Sequence, residues 1–426
     1  MLGTGSLFWR EDHGRTTLPH RRFGASNIAY ACLLACLCAA SVRSQAPGGS
    51  PSPFALEQRA LKAYETKDYK ESGHLFDSAF AAGLNRSEDA YNAACSYALA
   101  GDAAAALSYL DRAARMGFRD AEHVKTDTDL VGLHSDKRFA LLLEHVAANK
   151  RAYDGIHNDP DRAAIATSDI DLFWTAYHKM QTSPEPEGVL ERDYLVRGSP
   201  GLQDFVLLRI GSAGDLLKAI QSHPKYYAAI QPATLHIKDF SPQIHESFRK
   251  LRQLYPEATF PDVYFFIGRL NSAGTTGSSG LFLGAEMFGE GPNVPTNELS
   301  EWLQASLKSV DAIPYVVAHE LIHYQQNSPT NTLLADAIHE GSADFIGELI
   351  SGSFMNQVQF KYGMAHEAEL WKQFSAEMHA TDTSHWLYEG KTVNGRPAAW
   401  VTLRVTGSHR RFTKKPPIRK RPFARF

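Results

Sequence analysis

Two short segments hold the residues most able to do chemistry. His319-Glu320-Leu321-Ile322-His323 is followed, after sixteen intervening residues, by Glu340-Gly341-Ser342-Ala343-Asp344. Histidines four apart on an α-helix share a face, so both imidazoles can bind one metal ion while Glu320 stands next to the open coordination position. Catalytic zinc needs a third protein ligand, and Glu340 is the candidate. Asp344, one helical turn further on, is placed to accept a hydrogen bond from the ring nitrogen of His319 that does not bind metal. The reading is a mononuclear zinc site, with His319, His323 and Glu340 as ligands and Glu320 as general base.

Two helices must position these groups. Tyr315-Val316-Val317-Ala318 before the first motif and Leu321-Ile322 within it predict a buried, apolar helix in which His and Glu are the inward polar groups. Burying them without a partner would cost several kcal/mol, roughly, and a metal ion removes that cost. Ala335 to Leu349 shows apolar residues at i, i+3 and i+4 and predicts the second helix. His339 is expected beside the ligands or exposed, and His366 and His379 are expected in solvent.

These residues resemble the gluzincin pattern of thermolysin-like and aminopeptidase-like enzymes. From about Ser168 to Arg396 the chain resembles the bacterial family of predicted zinc-dependent proteases related to gliding-motility lipoproteins. The resemblance implies an α+β zincin-like peptidase domain that hydrolyses peptide bonds. In such a site zinc lowers the pKa of its water to about 7 and polarises the scissile carbonyl, while Glu320 acts as base and then as acid toward the leaving amine. It also implies a donor to the oxyanion, for which His385 and Tyr388 in Ser384-His385-Trp386-Leu387-Tyr388 are the candidates.

Upstream, Val263–Gly268 and Gly280–Met287 are short apolar runs joined by a Gly- and Ser-rich loop, read as a hairpin. In gluzincins a strand beside the metal helix pairs with the substrate backbone, so the 263–287 hairpin is expected to form the wall of the site. The loop lacks the Lys and following helix of a phosphate-binding loop.

The remaining chain reads as further units. With 426 residues, 43% hydrophobic content and a formal net charge of -3, it has material for two or three domains and no charge bias toward nucleic acid. Residues 1–44 read as an export signal: Arg21-Arg22 precede an apolar run from Ile28 to Val42, too short for a comfortable membrane span, with cleavage placed after Ser44. Leu33-Leu34-Ala35-Cys36 offers the alternative of a lipid anchor on Cys36. Residues 45–53 form a Pro/Gly/Ser linker. Three of the four cysteines precede it, so Cys95 is left alone in the exported chain as a small buried helix residue and disulfides cannot staple the fold.

Between 54 and 150, Ala60, Asp68, Ala79 and Gly83 recur as Ala94, Asp102, Ala113 and Gly117, a constant offset of 34 residues. That is the tetratricopeptide period and predicts an all-α helical domain of two helix pairs, capped by a helix through Phe139-Ala140-Leu141-Leu142-Leu143. Such a unit either docks a protein partner or acts as a spacer. The peptidase domain is placed at 165–399.

From Lys391 onward there is no Asp or Glu, and Arg404 to Arg425 holds nine Lys or Arg. Read one base earlier, the codons allowed for Ala399 to Phe426 permit an amphipathic, acid-containing string that looks like a closing helix, and the related predicted proteases read after Arg396-Pro397-Ala398 as a Gly-Tyr-rich turn into a helix. Residues 400–426 therefore read as a basic tail out of frame, which would remove a closing helix and a Tyr able to serve the oxyanion. Together these features predict an exported, periplasmic or secreted zinc peptidase with a peptide or protein substrate. The alternative is a catalytically inactive envelope binding or assembly protein on the same fold.

Overall fold

A computed structural model of the chain describes residues 51–326, 331–353, 357–383 and Trp386. Residues 1–44, read from the sequence as an export signal with Cys36 as the alternative lipid anchor, most of the expected 45–53 linker and the expected basic tail at 400–426 lie outside these residues. The chain divides into two compact units that part between Lys150 and Arg151.

The first unit is helical: α1 (Pro53–Glu65), α2 (Tyr69–Ala81), α3 (Ser87–Leu99), α4 (Ala103–Arg115), α5 (Ala121–Thr126) and the start of α6 (Lys137–His157). The bounds of α3 and α4 are those of α1 and α2 displaced by 34 residues. The cause is local and repeated. Asp68 and Asp102 cap α2 and α4 by accepting from the N–H groups of Glu71 and Ala105. Gly83 and Gly117 adopt φ of 113° and 94° where each pair ends, a conformation that costs glycine little. Ala60, Ala79, Ala94 and Ala113 have no exposed surface, so small side chains let the helices approach. In the capping helix Phe139 is buried, whereas Leu141 is 72% exposed and is not part of the expected apolar face.

Beneath α3 lies a polar core. Asp127 accepts from Tyr91 at 2.5 Å and from the Cys95 thiol at 3.7 Å, with His123 Nε2 at 3.3 Å. Tyr64 donates to the neighbouring Asp129. Burial pushes the Cys95 thiol up, so it stays protonated and is no nucleophile.

Among the described residues, the second unit combines helices with one four-stranded sheet. Strand β1 (Ile165–Ala166) leads into α7 (Ser168–Met180), α8 (Pro186–Leu190), α9 (Pro200–Phe205), α10 (Ala213–Ser222), α11 (Pro224–Leu235) and α12 (Ser241–Leu254). Then come β2 (Val263–Phe266), β3 (Thr275–Thr276), β4 (Leu281–Gly284), α13 (Glu301–Ser306), α14 (Ile313–Gln325), α15 (Leu333–Ser351), α16 (Gln357–Ala365) and α17 (Glu367–Glu377). No helix among the described residues is long and apolar enough to cross a membrane.

The sheet order is β1-β2-β4-β3, with β1, β2 and β4 parallel and β3 antiparallel to β4. The expected 263–287 hairpin is thus corrected: β2 and β4 are parallel neighbours. The loop between them contains β3, and the hairpin present is β3–β4, turning through Gly277–Gly280. Gly280 has φ of 153°, and the backbones of Gly277 and Gly280 bond to each other. Side chains on both faces of β4 are buried, which explains why the run lacks polar alternation.

Candidate metal centre

Helix α14 starts with Pro314 in its first turn and ends where Gln326 turns to an extended conformation. All residues from Ile313 to His323 are buried, as the apolar flanks predict. Helix α15 is capped by Thr332, whose side chain accepts from Ala335 N–H, and it stops at Gly352 with φ of 77°. The two helices pack closely at Gly347, where an added Cβ would stand 3.2 Å from the backbone nitrogen of His319.

That packing brings His319, His323 and Glu340 together. His319 Nε2 lies 2.8 Å from His323 Nε2, and Glu340 Oε2 lies 3.5 Å and 3.6 Å from these nitrogens. All three residues are buried. On the far side of each imidazole stands a polar partner. Asp344 Oδ1 faces His319 Nδ1 at 2.9 Å and also accepts from Tyr315 OH at 2.6 Å, the contact expected from the one-turn spacing. Gln326 Oε1 faces His323 Nδ1 at 2.6 Å.

These partners assign the tautomers. A carboxylate and an amide oxygen each accept an N–H, so both Nδ1 atoms carry hydrogen and both Nε2 lone pairs point inward. Two lone pairs and a carboxylate oxygen then converge on one point, an arrangement that calls for a cation. Burial and His323 push the His319 imidazolium toward losing its proton, yet hydrogen bonds to Asp344 and Glu340 outweigh them and lift it to about 9. Glu340 is raised by burial but held well below the usual carboxylate range by His323 and by its bonds to both imidazoles. A proton on the imidazole pair is one answer to this charge; a divalent metal ion is another. In a tetrahedral site with bonds of about 2.0–2.1 Å the ligand atoms stand about 3.4 Å apart, and the observed triangle differs from this by about half an ångström. The donor set of two imidazoles and one carboxylate fits zinc.

Glu320, on the same helix, is fully buried, and its carboxylate rests against the backbone of Gly274, where an added Cβ would lie 2.5 Å from Oε1. Gly274 immediately precedes β3, the edge strand. This wall is anchored from several sides. Arg209 carbonyl accepts from Arg269 Nε and Asn271 Nδ2, each at 2.7 Å. Asp204 Oδ2 accepts from the Ser278 and Ser279 side chains and from Ser279 N–H. Glu286, fully buried, accepts from the N–H groups of Gly268 at 2.7 Å and Leu270 at 3.1 Å.

The remaining predicted residues separate into groups. His339 is buried and stacks on His323 with ring centroids 4.6 Å apart, while His366 and His379 are exposed. His385 and Tyr388 lie outside the described residues. Sequence reasoning missed Gln326 and Tyr315. Gln326 follows His323 by three residues, a spacing that could have suggested a contact. Cys95, Asp127 and Asp129 also converge, but Tyr91, Tyr64 and the thiol itself donate protons to the two carboxylates, so those lone pairs are already occupied.

Residues 211–389 match the family model of the gliding motility protein GldB, a lipoprotein family. The match spans α10 to α17 and with them the whole candidate centre; it accords with an exported lipoprotein. No curated protein and no solved structure matches the chain.

Proposed function

We propose that the second unit is a gluzincin-like zinc peptidase that cleaves peptide bonds of an exported or envelope protein. The observation that carries this reading is the convergence of His319 Nε2, His323 Nε2 and a Glu340 carboxylate oxygen within a buried site whose outer hydrogen bonds turn both imidazole lone pairs inward.

Zinc bound by these three residues supplies Lewis acidity toward a water molecule and toward the substrate carbonyl. Glu320 takes the proton of the attacking water and returns it to the leaving amine, the task suited to a carboxylate one residue from His319 and one turn from His323. Asp344 and Gln326 hold the imidazoles in the metal-binding tautomer. Tyr315 donates to Asp344 and so limits its rotation. Gly274, immediately before β3, walls the site on the side of the Glu320 carboxylate.

The test compares wild-type protein with Glu320→Gln. Zinc content is measured by elemental analysis, and hydrolysis is followed on a quenched-fluorescence peptide library with and without a chelator. Hydrolysis that is lost with the chelator and in Glu320→Gln, with zinc retained in the variant, supports the peptidase. A second reading is a binding or assembly protein of the envelope that keeps the peptidase fold without turnover; the match to a motility lipoprotein family favours it. Zinc-loaded wild-type protein that cleaves no member of the library supports that second reading.

A further inference from the structure

Gln326 closes a hydrogen-bond circuit that reaches the candidate metal ligands from both helices. It is the residue at which α14 ends, and its backbone N–H still bonds the carbonyl of His323 at 3.0 Å while its side chain folds back over the last turn. The amide Nε2 lies 2.9 Å from the carbonyl oxygen of His339 and 2.9 Å from Ser342 Oγ, both on α15. Ser342 Oγ in turn lies 3.1 Å from the same His339 carbonyl.

The chemistry of these partners leaves one arrangement. A backbone carbonyl only accepts, so the atom of Gln326 that faces His339 must be the NH2 group. The Ser342 hydroxyl spends its hydrogen on that carbonyl and offers a lone pair to the second amide hydrogen. The amide oxygen is then turned toward His323 Nδ1 at 2.6 Å, and this nitrogen must carry hydrogen. His323 Nε2 is left as a lone pair aimed at His319 Nε2 and Glu340 Oε2. A main-chain atom of α15 thus dictates, through one side chain, which nitrogen of an α14 histidine can bind a cation.

We propose that Gln326 is a positioning residue for metal binding: it fixes the tautomer and ring orientation of His323 and ties both to α15, the helix that supplies Glu340. The proposal rests on the reading of His319, His323 and Glu340 as a metal site. An amide suits the position better than a carboxylate. It can accept from His323 and donate to His339 and Ser342 at once, whereas Glu could only accept and would face the His339 carbonyl with a second oxygen. The amide also adds no charge. Glu340, Asp344 and the fully buried Glu320 already bring carboxylates to this part of the fold.

The experiment uses the full chain and zinc itself as probe. Zinc affinity is measured by competition with a chromophoric chelator for wild type, Gln326→Leu and Gln326→Glu. The thermal midpoint of each metal-free protein is recorded beside it, and the histidine ring tautomers are read from long-range nitrogen-proton spectra of nitrogen-15-labelled protein. Gln326→Leu is expected to weaken zinc binding by about 10–100-fold, the range for loss of an orienting partner, and to abolish the single Nδ1–H signature of His323. Gln326→Glu, which keeps the acceptor, is expected to recover the tautomer signal and most of the affinity. Wild-type zinc binding that Gln326→Leu leaves unchanged overturns the proposal and spares the metal site. Equal losses of affinity in both variants, in step with their metal-free thermal midpoints, also overturn it, because a merely structural role would give that pattern. Wild-type protein that binds no zinc overturns the metal reading and this proposal together.

Discussion

Gly274→Ala separates placement of Glu320, the proposed general base, from metal binding at the proposed centre. Gly274 is not among the positive-φ residues, so its backbone accepts alanine without strain. The three atoms nearest the new methyl group all belong to Glu320: it would stand 2.5 Å from Oε1, 2.8 Å from Cδ and 2.9 Å from Cγ. Ordinary contact begins near 3.4 Å, so the carboxylate must retreat by about 0.9 Å. Glu320 is a flexible side chain and can yield by leaving its rotamer minimum, at a cost of about 1 kcal/mol. Stability should fall by no more than about that amount. A reacting group misplaced by about 1 Å, however, can slow a reaction by about 100-fold. Gly274→Ala should therefore keep its zinc and lose about two orders of magnitude in peptide hydrolysis. In a Glu320→Gln background it should cost nothing further, since both changes act on one carboxylate. Hydrolysis at the wild-type rate, or loss of zinc from Gly274→Ala, would refute the reading of Gly274 as the wall that holds Glu320 in its working position.

Two further predictions concern stability. Burial lifts Glu286 to about 7, although backbone N–H groups of Gly268 and Leu270 pull it down; the folded state therefore holds its proton more tightly than the unfolded chain, whose carboxyl titrates near 4.5. This contribution is full below pH 4.5 and is lost as pH rises to about 7, amounting to about 3 kcal/mol over that window. Urea unfolding of wild type and Glu286→Gln between pH 4.5 and 8 should show a shallower decline in the variant, and parallel curves would contradict the assignment. In the helical unit, Asp127→Ala leaves the buried Tyr91 hydroxyl without its 2.5 Å acceptor and should cost about 1–3 kcal/mol in thermal denaturation of the full chain. A loss below about 0.5 kcal/mol would show that another group takes over.

Much of this protein follows from residue type and spacing. The offset of 34 residues places both helix pairs, because the same Asp caps and Gly turns recur at each end. The i, i+4 histidines, the buried helix around them and the second helix with Glu340 and Asp344 could all be read because helical periodicity is local. What lies beyond one helix could not. The parallel pairing of β2 with β4 depends on which edge each strand finds, and short apolar runs separated by a glycine-rich loop look alike whether they form a hairpin or neighbouring parallel strands. Gln326 shows the same boundary. Its distance from His323 is written in the chain, but the direction of its amide is set by the His339 carbonyl and by Ser342, which only helix packing brings near. Gly274 against Glu320 is likewise a contact across 46 residues of chain. Sequence determined which groups could bind a metal ion, since that depends on donor chemistry and helical pitch; tertiary structure alone decided which lone pairs face inward and what stands over Glu320, since those depend on atoms that sequence leaves far apart.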